Sequence, residues 1–229
     1  MVIEYPAITH LDLTEQTYRF LKDKILKREI SPGEKISIEE IAHGLGVSRT
    51  PVVNALKMLE SDGLVEIQPR RGTFVTHLTA QDVAELFEIR LLIELHAAEQ
   101  IFVQNKVNQL LDEIEEPLDR MYAAISEADY VDYESFIAGD RDLHLQLVKF
   151  LNNQRLFQIY SALNVHMQVA RAHYLDTVEN ALQAQKEHEA MLIAIKNYDL
   201  AGLQEAIRRH IMNVKARILT LLEERGGQL

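Results

Sequence analysis

Apolar residues recur at helical spacing from Thr14 to Lys27, where Tyr18, Leu21, Ile25 and Leu26 share one face. Ser31-Pro32-Gly33 breaks that pattern, because proline and glycine punctuate a chain strongly. Ser37 stands three residues before Glu40, a capping-box spacing that opens a short helix from Ile38 to Leu45. Gly44 and Gly46 loosen the next turn. Ser48 then caps a second helix, with Pro51 tolerated in its first turn and Val52, Ala55, Leu56 and Leu59 facing inward. After Gly63, Leu64–Gln68 and Thr73–Thr76 read as short strands around the turn Pro69-Arg70-Arg71-Gly72. The order helix, helix, turn, helix, hairpin predicts a winged helix-turn-helix.

Beyond Leu78 the pattern changes. Between Thr79 and Glu224 the only breakers are Pro117, Gly139 and Gly202, and the periodicity predicts six helices near 79–104, 106–127, 130–150, 153–175, 177–196 and 199–224. The expected fold is mainly α: a winged helix-turn-helix over residues 1–78, followed by an antiparallel all-α bundle over 79–229.

Composition narrows the picture. Apolar residues make up 47% of 229 residues, enough for two cores. The chain has no cysteine, which excludes disulfides and thiolate metal sites. The N-terminal residues are acidic without an apolar run, and no stretch approaches a membrane span, so a cytoplasmic protein is expected. A net charge of −11 is unpromising for a nucleic-acid binder, but it is unevenly spread. Residues 1–79 carry 10 Lys/Arg against 11 Asp/Glu, whereas residues 80–229 carry 14 against 24. The acidity belongs to the helical part. A nearly neutral first part with basic tips can still attract phosphate, because local potential governs that attraction.

Candidate chemistry follows from these placements. In a helix-turn-helix the N-terminal residues of the second helix face base edges and phosphates. Here they are Ser48, Arg49 and Thr50. Arginine can grip guanine with two hydrogen bonds, and the hydroxyls suit phosphate. Arg71 and Gly72, with Arg70, form the tip of the expected wing, which otherwise is a solvated turn.

In the helical part, Asp140 and His144 are four residues apart on the inward stripe Tyr133, Phe136, Ile137, Asp140, His144, Leu147, Val148. His188 lies on the stripe Val178, Ala181, Leu182, Gln185, His188, Met191, Leu192, Ile195. His210 lies on Leu203, Ile207, His210, Val214, Ile218, Leu221. Four polar groups at core positions need partners. One divalent metal would satisfy all of them, and hydrogen bonds between the groups are the alternative. Arg90 lies on the first inward stripe, with Val83, Leu86, Phe87 and Ala97. It either clamps the carboxylate of an organic-acid effector or pairs with Glu94 one turn on. The remaining histidines show no such constellation.

The run ISPGEKISIEEIAHGLGVSRTPVVNALKMLESDGLVEIQPRRGTFV resembles the DNA-binding domain of the GntR family of transcription regulators. The resemblance implies that Ser48, Arg49 and Thr50 touch operator DNA and that Gly72 lies at the wing tip. Val53-Asn54 departs from the Arg-Glu usual at that point, so a cationic contact is missing. With a six-helix partner the whole resembles the FadR subfamily, VanR-like group. There an Asp-x-x-x-His pair and two later histidines hold a divalent metal. Asp140, His144, His188 and His210 match that set, with zinc the default and nickel or manganese also fitting.

The resulting expectation is a homodimeric, ligand-responsive regulator, in the commoner case a repressor. It would bind double-stranded operator DNA and a small carboxylate effector. Two other readings are a metal-dependent hydrolase and a constitutive DNA binder with a structural metal. Against the hydrolase, the stripes offer no spare Glu or His as a general base.

Overall fold

The computed structural model describes residues 13–27, 29–126, 130–163 and 177–226. The chain divides into two compact units, Met1–Thr76 and His77–Leu229.

In the first unit α1 (Leu13–Leu26) packs on α3 (Arg49–Ser61), and α2 (Ile38–Leu45) packs against α3. Leu21, Ile25, Val52, Ala55, Leu56 and Leu59 form the buried heart of this unit. Thr17 is buried on α1, where Tyr18 was expected to be. Its hydroxyl donates to the Leu13 carbonyl four residues back at 2.6 Å, while the half-buried Tyr18 donates to Asp62 at 2.5 Å. The hairpin of β2 (Val65–Gln68) and β3 (Gly72–Val75) is where the alternation places it, in the register Val65↔Val75 to Gln68↔Gly72. A two-residue strand the pattern did not reveal, β1 (Lys35–Ile36), pairs antiparallel with β3 and completes a sheet of order β1-β3-β2. Two residues are too few to show a period.

The second unit consists, among the described residues, of α4 (Ala80–Val103), α5 (Val107–Ala124), α6 (Tyr133–Lys149), helical residues 154–163 (α7), α8 (Val178–Lys196) and α9 (Leu200–Glu224). Residues 164–175 of the expected fourth helix lie outside the described residues. Side chains cap these helices at their starts: Thr79 and Asp82 close a full capping box on α4, and Asp132, Asn153, Thr177 and Asp199 cap α6, α7, α8 and α9. One boundary needs correcting. The helices expected to run to 127 and from 130 stop at Ala124 and start at Tyr133. Between them β4 (Ile125–Ser126) and β5 (Tyr130–Val131) form a small hairpin.

α5 packs on α6, and α9 packs on both α4 and α8. Gly139 on α6 makes the first of these contacts possible. A Cβ there would lie 2.8 Å from the Pro117 carbonyl and 2.7 Å from Met121 Cγ on α5, so only glycine lets the two backbones come this close. The next residue on α6 is the buried Asp140. The core contains Val83, Phe87, Leu110, Phe136, Leu147, Ala181, Met191, Ile207, Val214 and Ile218. Leu182, expected on the inward stripe of α8, is 41% exposed, and Ala184 and Glu187 take the buried positions instead.

Candidate metal centre and nucleic-acid surface

Three helices each contribute to one point inside the second unit. Asp140 and His144 project from α6, His188 from α8 and His210 from α9. All four are at most 1% exposed. One donor atom from each lies within 4.8 Å of every other, and the three imidazole centroids are 4.5–5.5 Å apart. His188 Nε2 is 3.2 Å from Asp140 Oδ1, and His144 Nε2 is 3.8 Å from the same oxygen.

The outer nitrogens explain why the inner ones face this point. His144 Nδ1 donates to Glu94 Oε2 at 2.7 Å, and His210 Nδ1 donates to Glu187 Oε2 at 2.9 Å. With the Nδ1 positions protonated, each Nε2 carries a lone pair. His144 Nε2, His210 Nε2 and both His188 nitrogens are buried and have no hydrogen-bond partner among the described residues. Burial, aided by the Arg90 charge, pushes His144 down to about 4. Burial and the neighbouring His188 push His210 down to about 3. Both rings are neutral near pH 7, the state a metal ligand needs.

Buried imidazole lone pairs beside the Asp140 carboxylate make a donor set that fits a borderline cation such as Zn²⁺.

Arg90 does pair with Glu94, Nε to Oε1 at 2.6 Å, with side chains 2% and 0% exposed. The two sequence alternatives for Arg90 are nevertheless compatible, because Nη1 and Nη2 remain buried without an acceptor among the described residues. Glu94 also accepts from Tyr160 Oη at 2.5 Å. Burial alone would raise the Glu94 carboxyl, but Arg90, His144 and Tyr160 together hold it well below the usual range. Glu187 accepts from Asn213 Nδ2 at 2.9 Å and from the Arg217 guanidinium. Burial opposes its ionisation too, and the His210, Asn213 and Arg217 interactions outweigh that and bring it to about 2.

Glu94 was foreseen only as an ion-pair partner for Arg90, not as the acceptor of His144, and Glu187 was missed, because a glutamate beside an apolar stripe reads as solvated. They do not overturn the expectation that the stripes offer no spare Glu or His as a general base. Both are near, and each is already occupied by an imidazole N–H and a cation.

In the first unit Ser48, Arg49 and Thr50 are all exposed at the start of α3. Ser48 occupies the N-cap position, but its hydroxyl makes no cap hydrogen bond, contrary to the expected capping role. Arg49 Nη2 lies 3.4 Å from Glu39 Oε1 on α2, with side chains 71% and 61% exposed. A pair that exposed contributes at most about 1 kcal/mol and can yield to phosphate. At the wing, Arg71 stacks over the Phe74 ring with 6.0 Å between guanidinium carbon and centroid. Gly72 has φ +121, and Lys35 from β1 lies where its Cβ would be, with Cε at 2.7 Å. The wing therefore carries Lys35 as well as Arg70 and Arg71.

A winged helix-turn-helix joined to a helical unit with a buried Asp/His₃ cluster defines a two-part DNA-binding regulator. Comparison with known proteins gives the family. The model of bacterial regulatory proteins of the gntR family matches residues 13–75, and the FCD domain model matches residues 85–213. The chain belongs to the GntR family of transcription regulators, among those carrying an FCD domain.

Two similar relatives are the HTH-type transcriptional regulator YdhC of Bacillus subtilis (strain 168) and the gluconate operon transcriptional repressor of Bacillus licheniformis. YdhC is 28% identical over 91% of this chain and 92% of its own length. The gluconate repressor is 25% identical over 86% and 82%. Among solved structures, Escherichia coli McbR/YncC matches 92% of this chain and 99% of its own, with TM-score 0.74 at 24% identity. The metal-free FCD domain of TM0439 matches 64% and 98%, with TM-score 0.54 at 19% identity. These likenesses bear on the fold. The relatives are regulators, not enzymes. No described helix is long and apolar enough to cross a membrane.

Proposed function

We propose that this regulator is a repressor whose helical unit, residues 79–229, binds a divalent metal and a small organic acid and pairs with a second copy. Residues 1–78 would bind operator DNA. Asp140, His144, His188 and His210 would hold the metal, zinc by preference and nickel or manganese as alternatives. The observation that carries the reading is the convergence of four buried donor atoms within 4.8 Å, with two of the three imidazoles oriented by glutamates. The FCD domain of TM0439, solved in a form distinguished as metal-free, supports it from outside, and the gluconate operon repressor supports repression.

Charge points to an acidic effector. Among the described residues, Glu94, Asp140 and Glu187 face Arg90 and Arg217 around the centre, a formal excess of one negative charge. A divalent cation would turn this into an excess of one positive charge, which a monocarboxylate would neutralise. The cation would act as a Lewis acid toward a carboxylate oxygen. Arg90 Nη1 and Nη2, still lacking acceptors among the described residues, would donate to the same anion. On the DNA side, Ser48, Arg49 and Thr50 would meet the major groove, and Arg71 and Gly72 would lie along the backbone.

The test is elemental analysis of protein purified without added metal, beside His188→Ala. Near-stoichiometric metal in the wild type, reduced in the variant, is expected. Less than about a tenth of an equivalent in the wild type would overturn the metal assignment.

A further inference from the structure

Two buried glutamates stand behind the centre with no ligand role of their own. Glu94 and Glu187 come from different helices, α4 and α8, yet each accepts the Nδ1–H of one cluster histidine, at 2.7 and 2.9 Å. Both carboxylates are at most 3% exposed. Burying a carboxylate is expensive, and each is compensated by a cation on the side away from the histidine. Glu94 takes Arg90 at 2.6 Å and Tyr160 at 2.5 Å, and Glu187 takes Arg217 and Asn213. The same construction occurs twice: cation, carboxylate, imidazole, inward lone pair. His188 is the exception. Its Nδ1 has no acceptor among the described residues.

We infer that Glu94 and Glu187 are the positioning residues of the centre, holding His144 and His210 in the Nδ1–H tautomer so that each Nε2 is a ready ligand, while His188 is the less constrained donor. The inference rests on the metal reading and adds a consequence. Arg90 and His144 share Glu94 through its two oxygens, so an anion drawing on Arg90 acts on a ligand histidine through one carboxylate. An outer acceptor of this kind commonly contributes about 10–100-fold to metal affinity.

The experiment uses the full chain with ¹⁵N-labelled histidine. Long-range ¹H–¹⁵N correlation on the metal-free protein reads each tautomer, and zinc competition against a chromophoric chelator reads affinity. In the wild type His144 and His210 should show the Nδ1–H form. Glu187→Gln should disturb His210 but not His144 and weaken zinc by about 10–100-fold. Glu94→Gln strands Arg90 and can compromise folding, so Arg90→Gln/Glu94→Gln, which removes both charges, serves as its partner variant. It should disturb His144 and weaken zinc similarly. A purely structural role would lower stability without changing one histidine's tautomer. Zinc affinity within about twofold of wild type in Glu187→Gln and in the double variant, or an Nε2–H tautomer at His210 in the wild type, overturns the inference and leaves the centre standing. Absence of zinc binding in the wild type overturns the centre, and the inference with it.

Discussion

At the scale of single residues the first unit depends on side chains that contribute little to its own stability. Arg49 is exposed, and Glu39, its ionic partner among the described residues, is exposed as well. Its removal should therefore leave folding unchanged while removing a base or phosphate contact. Arg49→Ala is expected to weaken operator binding by about 1–3 kcal/mol and to relax preference at one base pair. Unchanged affinity and preference in a fluorescence titration would show that α3 does not enter the groove as proposed. In the second unit the telling residues are buried. Asp140, His144, His188 and His210 lay on inward stripes by spacing alone and do converge. The contacts of Glu94 and Glu187 with the histidines were not legible, because sequence gives no means of seeing that a carboxylate will meet an imidazole 50 or 23 residues away.

At the scale of elements, the hydrophobic period made the helices of the second unit legible, and the starts read near 79, 177 and 199 fall at Thr79, Thr177 and Asp199, whose side-chain oxygens each accept an N–H three residues on. The hairpin between α5 and α6 was not legible, because two-residue strands have no period to detect. The α5–α6 contact gives a prediction of its own. Gly139→Ala would bring a methyl against the Pro117 carbonyl and Met121, and overpacking of this kind typically costs about 1–3 kcal/mol. Because Asp140 is the next residue, the variant should also lose metal affinity. Denaturant unfolding with and without zinc measures both effects. A variant as stable as the wild type would mean that α5 and α6 can separate without cost.

At the scale of the molecule, two linkages follow. If an organic acid binds at the centre and shifts DNA affinity, DNA must shift the acid's affinity by the same factor, commonly corresponding to about 1–3 kcal/mol. Operator affinity that stays flat across a full titration with candidate carboxylates would remove the switch. The second linkage is to protons. In metal-free protein His144 and His210 titrate at about 4 and 3, against about 6.5 for an imidazole in the unfolded chain. Below about 6.5 the unfolded chain binds more protons, so stability is full above that pH and falls as pH drops toward 4 and 3. Glu187, held at about 2, adds a loss in the same direction below its ordinary range. The unfolding midpoint of chelator-treated protein should therefore fall between pH 7 and 4.5. A midpoint that does not move would contradict neutral, buried imidazoles.

What the sequence determined by itself is whatever local chemistry dictates. Caps, breakers and the hydrophobic period set the helices, the hairpin wing, the change of character near residue 78, and the faces on which Arg90, Asp140 and the three histidines lie. Tertiary structure alone decided what those faces meet. It closed the distance between α6, α8 and α9, gave Arg90 both an ion pair and two donors still without acceptors among the described residues, and buried two glutamates behind the histidines. The physical reason is that burial of a charge depends on a partner from another helix. That partner is set by packing, as where Gly139 admits Pro117, and not by the spacing of residues along any one element.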